Sequence, residues 1–295
     1  FGVKKGIERT SKIFLPILIV LNIAIAIYVM TLPGALDGVL YYITLDFSKL
    51  SFGTIIAALG QLFYSMSLAM GIMFTYGSYL NKKENLEASV RHIELFDTGI
   101  AFLSGLMILP AVFVFSGGDA NVLNSGSSLL FITMPQVFMS MPFGQAVGAI
   151  FFILVFFAAL TSAISFVETI VSVFQDQFGW KRIPICIGTC FGAIVIGLAA
   201  AWGFGWWSGF TIFGMNISDF LDFFTNSILM PISALFTCIF LGFIVGTSVV
   251  ADEVKLSSRF RSEKMFVVIT KWIAPVCIVA ILVTSILSAA GLFTI

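Results

Sequence analysis

Residues 60–71 read GQLFYSMSLAMG and lie inside an apolar run from about residue 54 to residue 80. A run of this length is enough to cross a bilayer, which takes about 20 apolar residues. Its centre, however, is rich in small residues, among them Ser65, Ser67 and Gly71. Glycine loosens a helix, and serine can bond to backbone that has left the helix, so the stretch predicts a span broken at mid-membrane. Small residues in a membrane helix also mark close helix packing, and that alternative is open at this point.

The composition excludes a soluble domain. The chain has 295 residues, of which 59% are hydrophobic and 10% are charged, whereas soluble domains are about 45–50% apolar and about 25% charged. We therefore predict an all-α, polytopic helical membrane protein. A membrane enzyme has little support, because the sequence shows no histidine cluster, no nucleophile paired with a base and no phosphate-binding loop.

Seven candidate spans can be marked along a single domain that covers residues 1–295. They are residues 13–30, 54–80, 93–115, 143–174, 183–202, 220–246 and 266–287. Fourteen of the 15 lysines and arginines lie before the first span or in or beside the connections that follow the second, fourth and sixth spans. Only Lys49 lies in one of the remaining connections. This positive-inside pattern predicts a multi-pass protein of the cytoplasmic membrane, with Phe1 in the cytoplasm and Ile295 outside. The outward connections 31–53 and 116–142 are long and partly apolar, which predicts packed short helices.

Charged residues inside spans are rare and costly, so each is a candidate site. Asp97 lies in the third span, Glu168 in the fourth and Asp222 near the outer end of the sixth. For Glu168 two interpretations are open: a structural hydrogen bond to a neighbouring helix, or a gate on the inward path.

The fourth span carries hydroxyls on one face. Within FFAALTSAISF, residues 156–166, the spacing of Ala158, Thr161 and Ser162 places them on the same side of a helix. A carbonyl and two hydroxyls are oxygens that suit a sodium ion. Serine and threonine also commonly bond back to the carbonyl one turn earlier, and that alternative is open as well.

Five stretches together resemble the neurotransmitter:sodium symporter family, in its bacterial amino-acid-transporting branch. They are KGIER (5–9), GQLFYSMSLAMG (60–71), LFDTGIAFLSG (95–105), FFAALTSAISF (156–166) and LDFFTNSI (221–228). The resemblance covers the chain and implies a LeuT-like inverted-repeat fold with a discontinuous helix near residues 64–70. It aligns the chain with the family's fifth to eleventh spans, which are the second repeat plus flanking spans. We therefore expect the first four spans to be absent from this sequence, and the chain alone to be incompetent.

The resemblance also implies two sodium sites, each completed by the family's first span. One would use the Ser65 hydroxyl and an Asp97 oxygen, and the other the Ala158 carbonyl with the Thr161 and Ser162 hydroxyls. The residues it implies at the substrate are Tyr64, Ser65, Ser67, Met70, Ser162 and Phe166. Asp222 resembles the outer gate carboxylate.

The function implied by the resemblance is sodium-coupled symport of an amino acid by alternating access. Two departures from relatives matter. The first is Asp97, which stands where relatives usually have Asn, with Ala101 one turn on where chloride-dependent members have Ser and some bacterial members have Glu. A carboxylate already neutralises sodium locally, so we predict no chloride requirement. The second is Ala69-Met70-Gly71, where many relatives have Gly-Phe-Gly, and it reshapes the pocket. The implied partners are the amino acid, sodium ions, the lipid bilayer and the N-terminal spans of the same transporter. The alternatives are a non-transporting accessory or receptor-like subunit on the same scaffold, or an inactive fragment.

Overall fold

Membrane-length helices dominate the computed structural model, which describes residues 8–116 and 129–289. Six helical stretches in these ranges are long and apolar enough to cross a membrane. They are Ser11–Met30, Leu86–Phe115, Gly144–Phe178, Arg182–Gly203, Ile217–Ile244 and Glu263–Ser288. The chain is therefore a multi-pass helical membrane protein, as its composition predicts. The remaining predicted span, residues 54–80, is present as two shorter helices with a break between them.

The chain divides into two compact units. The first comprises Phe1–Phe47 and Leu95–Ser165, and the second comprises Ser48–Glu94 and Phe166–Ile295. The helices in chain order are α1 (Glu8–Met30), α2 (Ala35–Ile43), α3 (Phe52–Ser65), α4 (Ile72–Tyr79), α5 (Leu86–Phe115), α6 (Met134–Ser140), α7 (Gly144–Phe178), α8 (Arg182–Gly203), α9 (Ile217–Asp222), α10 (Met230–Ile239), α11 (Thr247–Lys255), α12 (Glu263–Val268) and α13 (Ala274–Ala289). Segments of π-helix occupy Leu129–Thr133, Phe223–Leu229, Phe240–Ile244 and Ile269–Ile273.

The first unit has a tightly packed apolar core. Buried side chains of α1, α5, α6 and α7 meet there, including Val29, Val112 and Phe151. Helix α2 approaches α5 so closely that a Cβ at Gly38 would lie 2.7 Å from the Cα of Pro110. The close approach requires glycine at this position.

The second unit is built around α13. Helix α10 packs against α13, α3 packs against the same helix, and α8 packs against α9. The π-segment Phe223–Leu229 lies between α9 and α10, so the span Ile217–Ile244 is wound more widely in its middle than an α-helix. Such wide turns occur frequently at functional sites.

The connections differ from the sequence prediction in two places. The predicted short helices are present as α2 and α6. Helix α5 begins seven residues before the predicted span, because the Asn85 side chain accepts the Ala88 amide at 3.0 Å and starts the helix in polar sequence. After Gly246, with φ of 91°, the amphipathic helix α11 follows where we expected a plain connection. Residues 5–7 of KGIER, residues 117–128 and Ile295 lie outside the described residues.

Candidate functional site

The break between α3 and α4 spans residues 66–71. Ser67 and Ala69 have φ of 53° and 61°, and Gly71 has φ of 79°. The left-handed region costs a residue with a side chain about 1–2 kcal/mol, so two such residues within one turn mark stored strain. The Leu68 amide reaches back to the Phe63 carbonyl at 3.0 Å, a wider turn than the α-helix makes. The discontinuous helix predicted from the small residues is therefore confirmed, and close packing alone does not account for this stretch.

Strain of this kind is concentrated at binding sites and switch regions of proteins. A break also turns the ends of two half-helices, with their partial charges, toward the middle of the span. Carbonyls that leave the helical ladder become ligands for a cation, and free amides become donors for an anion. The backbone of residues 66–71 thus has the chemistry of a site for a small ionic ligand.

A cavity of about 680 Å³ opens beside the break, within the second unit. Its lining comes from α3, the break, α7, α8, α9, α10 and the π-segment Phe223–Leu229. The lining residues are Tyr64, Ala69, Met70, Phe166, Ile196, Ala200, Ser218, Leu221, Asp222, Thr225, Asn226, Leu229, Met230 and Ser233. The volume falls within the range of about 300–1,000 Å³ that is typical of small-molecule sites.

The cavity brings together four of the predicted site residues: Tyr64, Met70, Phe166 and Asp222. Ser65 ends α3 and Ser67 lies in the break. In the described part of the second unit, neither of these two serines lines the cavity. The substrate roles of all these residues stay predictions.

Asp222 is held by a neighbour that was not predicted from the sequence. The Asn226 side-chain amide donates to Asp222 Oδ1 at 2.6 Å, and both residues line the cavity. Beside them, the Thr225 hydroxyl donates to the Leu221 carbonyl at 2.7 Å. The signal was available in LDFFTNSI, because residues four apart on a helix are neighbours.

The hydroxyl face of α7 lies in the first unit and on unbroken helix. The Thr161 hydroxyl donates to the Ala158 carbonyl at 2.9 Å. Ala158 and Ser162 are exposed on the same face. Thr161 therefore forms the hydrogen bond back along the helix that the sequence left open as the alternative to sodium ligation. The Thr161 hydroxyl keeps a lone pair for a cation, whereas the Ala158 carbonyl already accepts twice, from this hydroxyl and from the helical amide one turn on. Sodium ligation at this face stays a prediction, and it needs the Ala158 carbonyl to give up one of these bonds.

Asp97 is half-buried on α5 in the first unit. Because α5 begins at Leu86, Asp97 lies about three turns into the helix, deeper than the predicted boundary suggested. The first two of these turns are polar sequence, so Asp97 stays near one end of the apolar part of the helix. A carboxylate within a span is a candidate functional group. Its pairing with Ser65 at one sodium ion stays a prediction.

Glu168 is buried, with 2% of its surface exposed, and it has two partners in the second unit. The Tyr79 hydroxyl donates to Glu168 Oε1 at 2.8 Å, and Arg182 Nη1 donates to the same oxygen at 3.1 Å. Arg182 Nη2 donates to Oε2, which makes the ion pair bidentate. The network joins α4, α7 and α8. Arg182 was not predicted as a partner, because its position in the sequence placed it only among the basic residues of a connection.

Comparisons with known proteins agree with this geometry. The sequence profile of the Sodium:neurotransmitter symporter family matches residues 1–293. An uncharacterized sodium-dependent transporter of Haemophilus influenzae is 35% identical over 289 residues, which are 96% of this chain and 61% of that protein. The uncharacterized sodium-dependent transporter YhdH of Bacillus subtilis is 35% identical over 258 residues, which are 88% of this chain and 56% of that protein.

A solved structure shows the same fold. The crystal structure of MhsT in complex with L-phenylalanine matches with a TM-score of 0.84 and 36% identity. The match covers 96% of this chain and 64% of the MhsT chain. The chain thus spans about three fifths of the length of these three proteins, from 56% to 64%.

Proposed function

Because the chain belongs to the sodium:neurotransmitter symporter family, we propose that it forms the larger part of a sodium-coupled amino-acid symporter that works by alternating access. The observation that carries this proposal is the strained break at residues 66–71 beside a cavity of about 680 Å³. A membrane transporter needs a ligand site away from the bilayer surfaces, and a broken helix supplies backbone groups for it. The fold is LeuT-like, as the match to MhsT supports.

The substrate is an amino acid with an apolar side chain. Its support is the lining of the cavity, where Met70, Phe166, Ile196 and Leu221 form apolar walls. Apolar walls with a few polar groups fix the orientation of a small molecule and select its side chain. MhsT was crystallised in complex with L-phenylalanine, and we extend the same substrate class to this chain.

Two sodium ions travel with the substrate. The first ion is bound by Ser65 and Asp97 together with the substrate carboxylate, and the second by Ala158, Thr161 and Ser162. The family's first span completes both sites. Because the first ion and the substrate share a ligand set, each raises the affinity of the other, typically by about 5- to 150-fold. This coupling lets the sodium gradient drive uptake.

Ser67, Tyr64 and Ser162 complete the substrate contacts in this proposal, and Asp222 is the outer gate. Asn226 holds the Asp222 carboxylate, at 2.6 Å, for a cationic partner outside this chain. The distribution of lysine and arginine supports an orientation with Phe1 on the cytoplasmic side and Ile295 outside. The protein acts in the cytoplasmic membrane.

Chloride independence rests on the charge of Asp97. A sodium ion beside a carboxylate is locally neutral, so no second anion is needed. We expect the variant Asp97→Asn to bind sodium roughly tenfold more weakly or more, or to become chloride-dependent, because the neutral amide leaves the ion uncompensated. Sodium titrations of the thermal stability of the transporter that contains this chain and the family's first span, with chloride and with gluconate as the anion, measure both effects.

The matched control is Asp37→Asn, the same change at an exposed position of α2 in the same unit. This control keeps the sodium response and the chloride independence of the parent protein. If Asp97→Asn behaves like the control in both titrations, the role proposed for Asp97 is wrong.

A further inference from the structure

A basic pocket of about 380 Å³ lies in the second unit, away from the cavity at the break. We define it by residues at the start of α5 and in the loop between α11 and α12: Asn85, Arg91, His92, Ser258, Arg259 and Arg261. Beyond the transport proposed above, we infer that this basic pocket binds a phosphate group, and that an anionic lipid headgroup supplies it.

The charge balance of the basic pocket is positive. Glu87 also lines it, and only 16% of the Glu87 side chain is exposed. Its carboxylate accepts three hydrogen bonds, each at 3.4 Å. The donors are the Arg91 guanidinium, the Arg261 backbone amide and the Ser262 hydroxyl. Three arginines against one glutamate leave a net charge of two positive units. This positive charge attracts a phosphate group, and guanidinium groups can in addition offer paired donors to its oxygens.

The nearby carboxylate of Glu263, at the start of α12, does not cancel this charge. Glu263 accepts from Lys255 Nζ at 2.7 Å and is thereby paired already. Glu87 fixes the loop to α5 through the backbone of Arg261 rather than through its guanidinium. The guanidinium groups of Arg259 and Arg261 are exposed and available to a ligand.

The surroundings favour a lipid as the source of the phosphate. The basic pocket lies where two membrane-length helices, Leu86–Phe115 and Glu263–Ser288, begin. Two large apolar side chains flank the loop and are exposed, Leu256 at 62% and Met265 at 60%. Basic groups next to exposed apolar side chains at the end of spans are the pattern by which proteins hold anionic lipid headgroups.

The test uses the full chain in detergent and the variant Arg259→Gln/Arg261→Gln. Dioleoylphosphatidylglycerol, dioleoylphosphatidylcholine and inorganic phosphate are titrated separately, with bound lipid counted by native mass spectrometry and stability followed by tryptophan fluorescence. Each guanidinium near a membrane surface contributes about a fivefold gain in affinity for anionic lipid. We expect the double variant to bind phosphatidylglycerol on the order of 25-fold more weakly, and phosphatidylcholine equally well.

Two further variants keep the result interpretable. Lys82→Gln/Lys83→Gln removes the same charge from an exposed connection outside the basic pocket and binds phosphatidylglycerol like the parent protein. Arg259→Lys/Arg261→Lys keeps the charge, so we expect it to keep most of the parent protein's affinity for phosphatidylglycerol. This variant tests the inference even if the glutamine variant folds poorly. If inorganic phosphate alone stabilises the parent protein, and the glutamine variant loses that effect, the pocket binds free phosphate and the lipid assignment is overturned. Equal losses in the Lys82/Lys83 control, or no response to either phosphate source, overturn the whole inference.

Discussion

The broken span of α3 and α4 and the unbroken helix α7 both carry serine and threonine hydroxyls at membrane depth, yet their backbones behave in opposite ways. At residues 66–71 the chain leaves the helix through left-handed residues. At Ala158–Ser162 the chain stays helical, and Thr161 bonds back to the Ala158 carbonyl. The first region therefore offers backbone groups to a ligand, and the second offers side-chain oxygens on a rigid support.

The glycines explain part of the difference. Helix α7 has no glycine between Gly148 and its end at Phe178. The broken span has Gly60, Gly71 and Gly77, and the break ends at Gly71 in a left-handed conformation. Sodium–substrate coupling by the proposed mechanism uses both kinds of region, because one sodium ion is assigned to Ser65 beside the break and the other to the hydroxyl face of α7. Variants in each region separate their contributions.

The largest expected effect concerns the ion pair between α7 and α8. Replacing Arg182 with Gln leaves the Glu168 carboxylate buried at 2% exposure with only the Tyr79 hydroxyl as a described partner. We expect a loss of about 3 kcal/mol in the free energy of unfolding, because breaking a buried pair leaves an uncompensated charge. Denaturation followed by tryptophan fluorescence measures the change.

A second variant tests the cause of that loss. Removing both charges in Glu168→Gln/Arg182→Gln restores part of the stability, since no charge is then left unpaired. The matched control is Lys255→Gln, which breaks the surface pair with Glu263 and costs less than about 1 kcal/mol. A loss for Arg182→Gln as small as that of Lys255→Gln would mean that Glu168 finds other partners.

The next effect concerns the end of the break. Gly71 has φ of 79°, and an added Cβ would lie 3.0 Å from the Thr169 Cγ2 atom on α7. We expect Gly71→Ala to cost about 1–2 kcal/mol of stability and to weaken amino-acid binding, because the left-handed conformation and the contact both oppose a side chain. Thermal unfolding with and without the amino acid measures both.

Gly77→Ala is the control on the half-helix that follows. At Gly77 an added Cβ meets no described atom within 4 Å outside the helix itself. Alanine is favoured over glycine there by about 1 kcal/mol, so this variant is more stable than the parent protein. Equal behaviour of the two variants would show that the break tolerates ordinary helix geometry.

The smallest effect on stability concerns α7. We expect Thr161→Val to change the free energy of unfolding in the absence of sodium by less than about 0.5 kcal/mol, because only a local bond along the helix is lost. The same variant loses the stabilisation that sodium gives. Thr237→Val removes an equivalent bond, from Thr237 to the Ser233 carbonyl at 2.9 Å, and keeps the sodium response. If sodium stabilises Thr161→Val as much as the parent protein, the Thr161 hydroxyl does not bind sodium and only forms its hydrogen bond along the helix.

The break could be predicted from sequence only with the rest of the chain. Ser65, Ser67 and Gly71 suit a helix that leaves its ladder, but they also suit close packing, and the family motifs decided for the break. The family fold likewise follows from motifs in order along the chain, and the comparisons confirm it. Helix α5 begins at Leu86, before the predicted span 93–115, because the apolar pattern marks the membrane part of a helix and not its polar extension.

The partner of Glu168 and the helix α11 could not be predicted in the same way. Arg182 is 14 residues from Glu168 and reaches it around a turn at Gly179, with φ of 65°. Helix α11 was missed because its polar residues resemble a loop unless the turn at Gly246 is known. These features depend on backbone geometry that apolar periodicity does not encode.

The most direct test of the proposed symport is sodium-dependent binding of an amino acid. The thermal stability of the transporter that contains this chain, including the family's first span, is measured with each of the common amino acids in sodium and in potassium buffer. The proposed mechanism predicts that at least one amino acid with an apolar side chain raises the melting temperature in sodium only, and that Asp97→Asn removes or weakens the shift. No shift with any amino acid in sodium, or equal shifts in sodium and potassium, would contradict it.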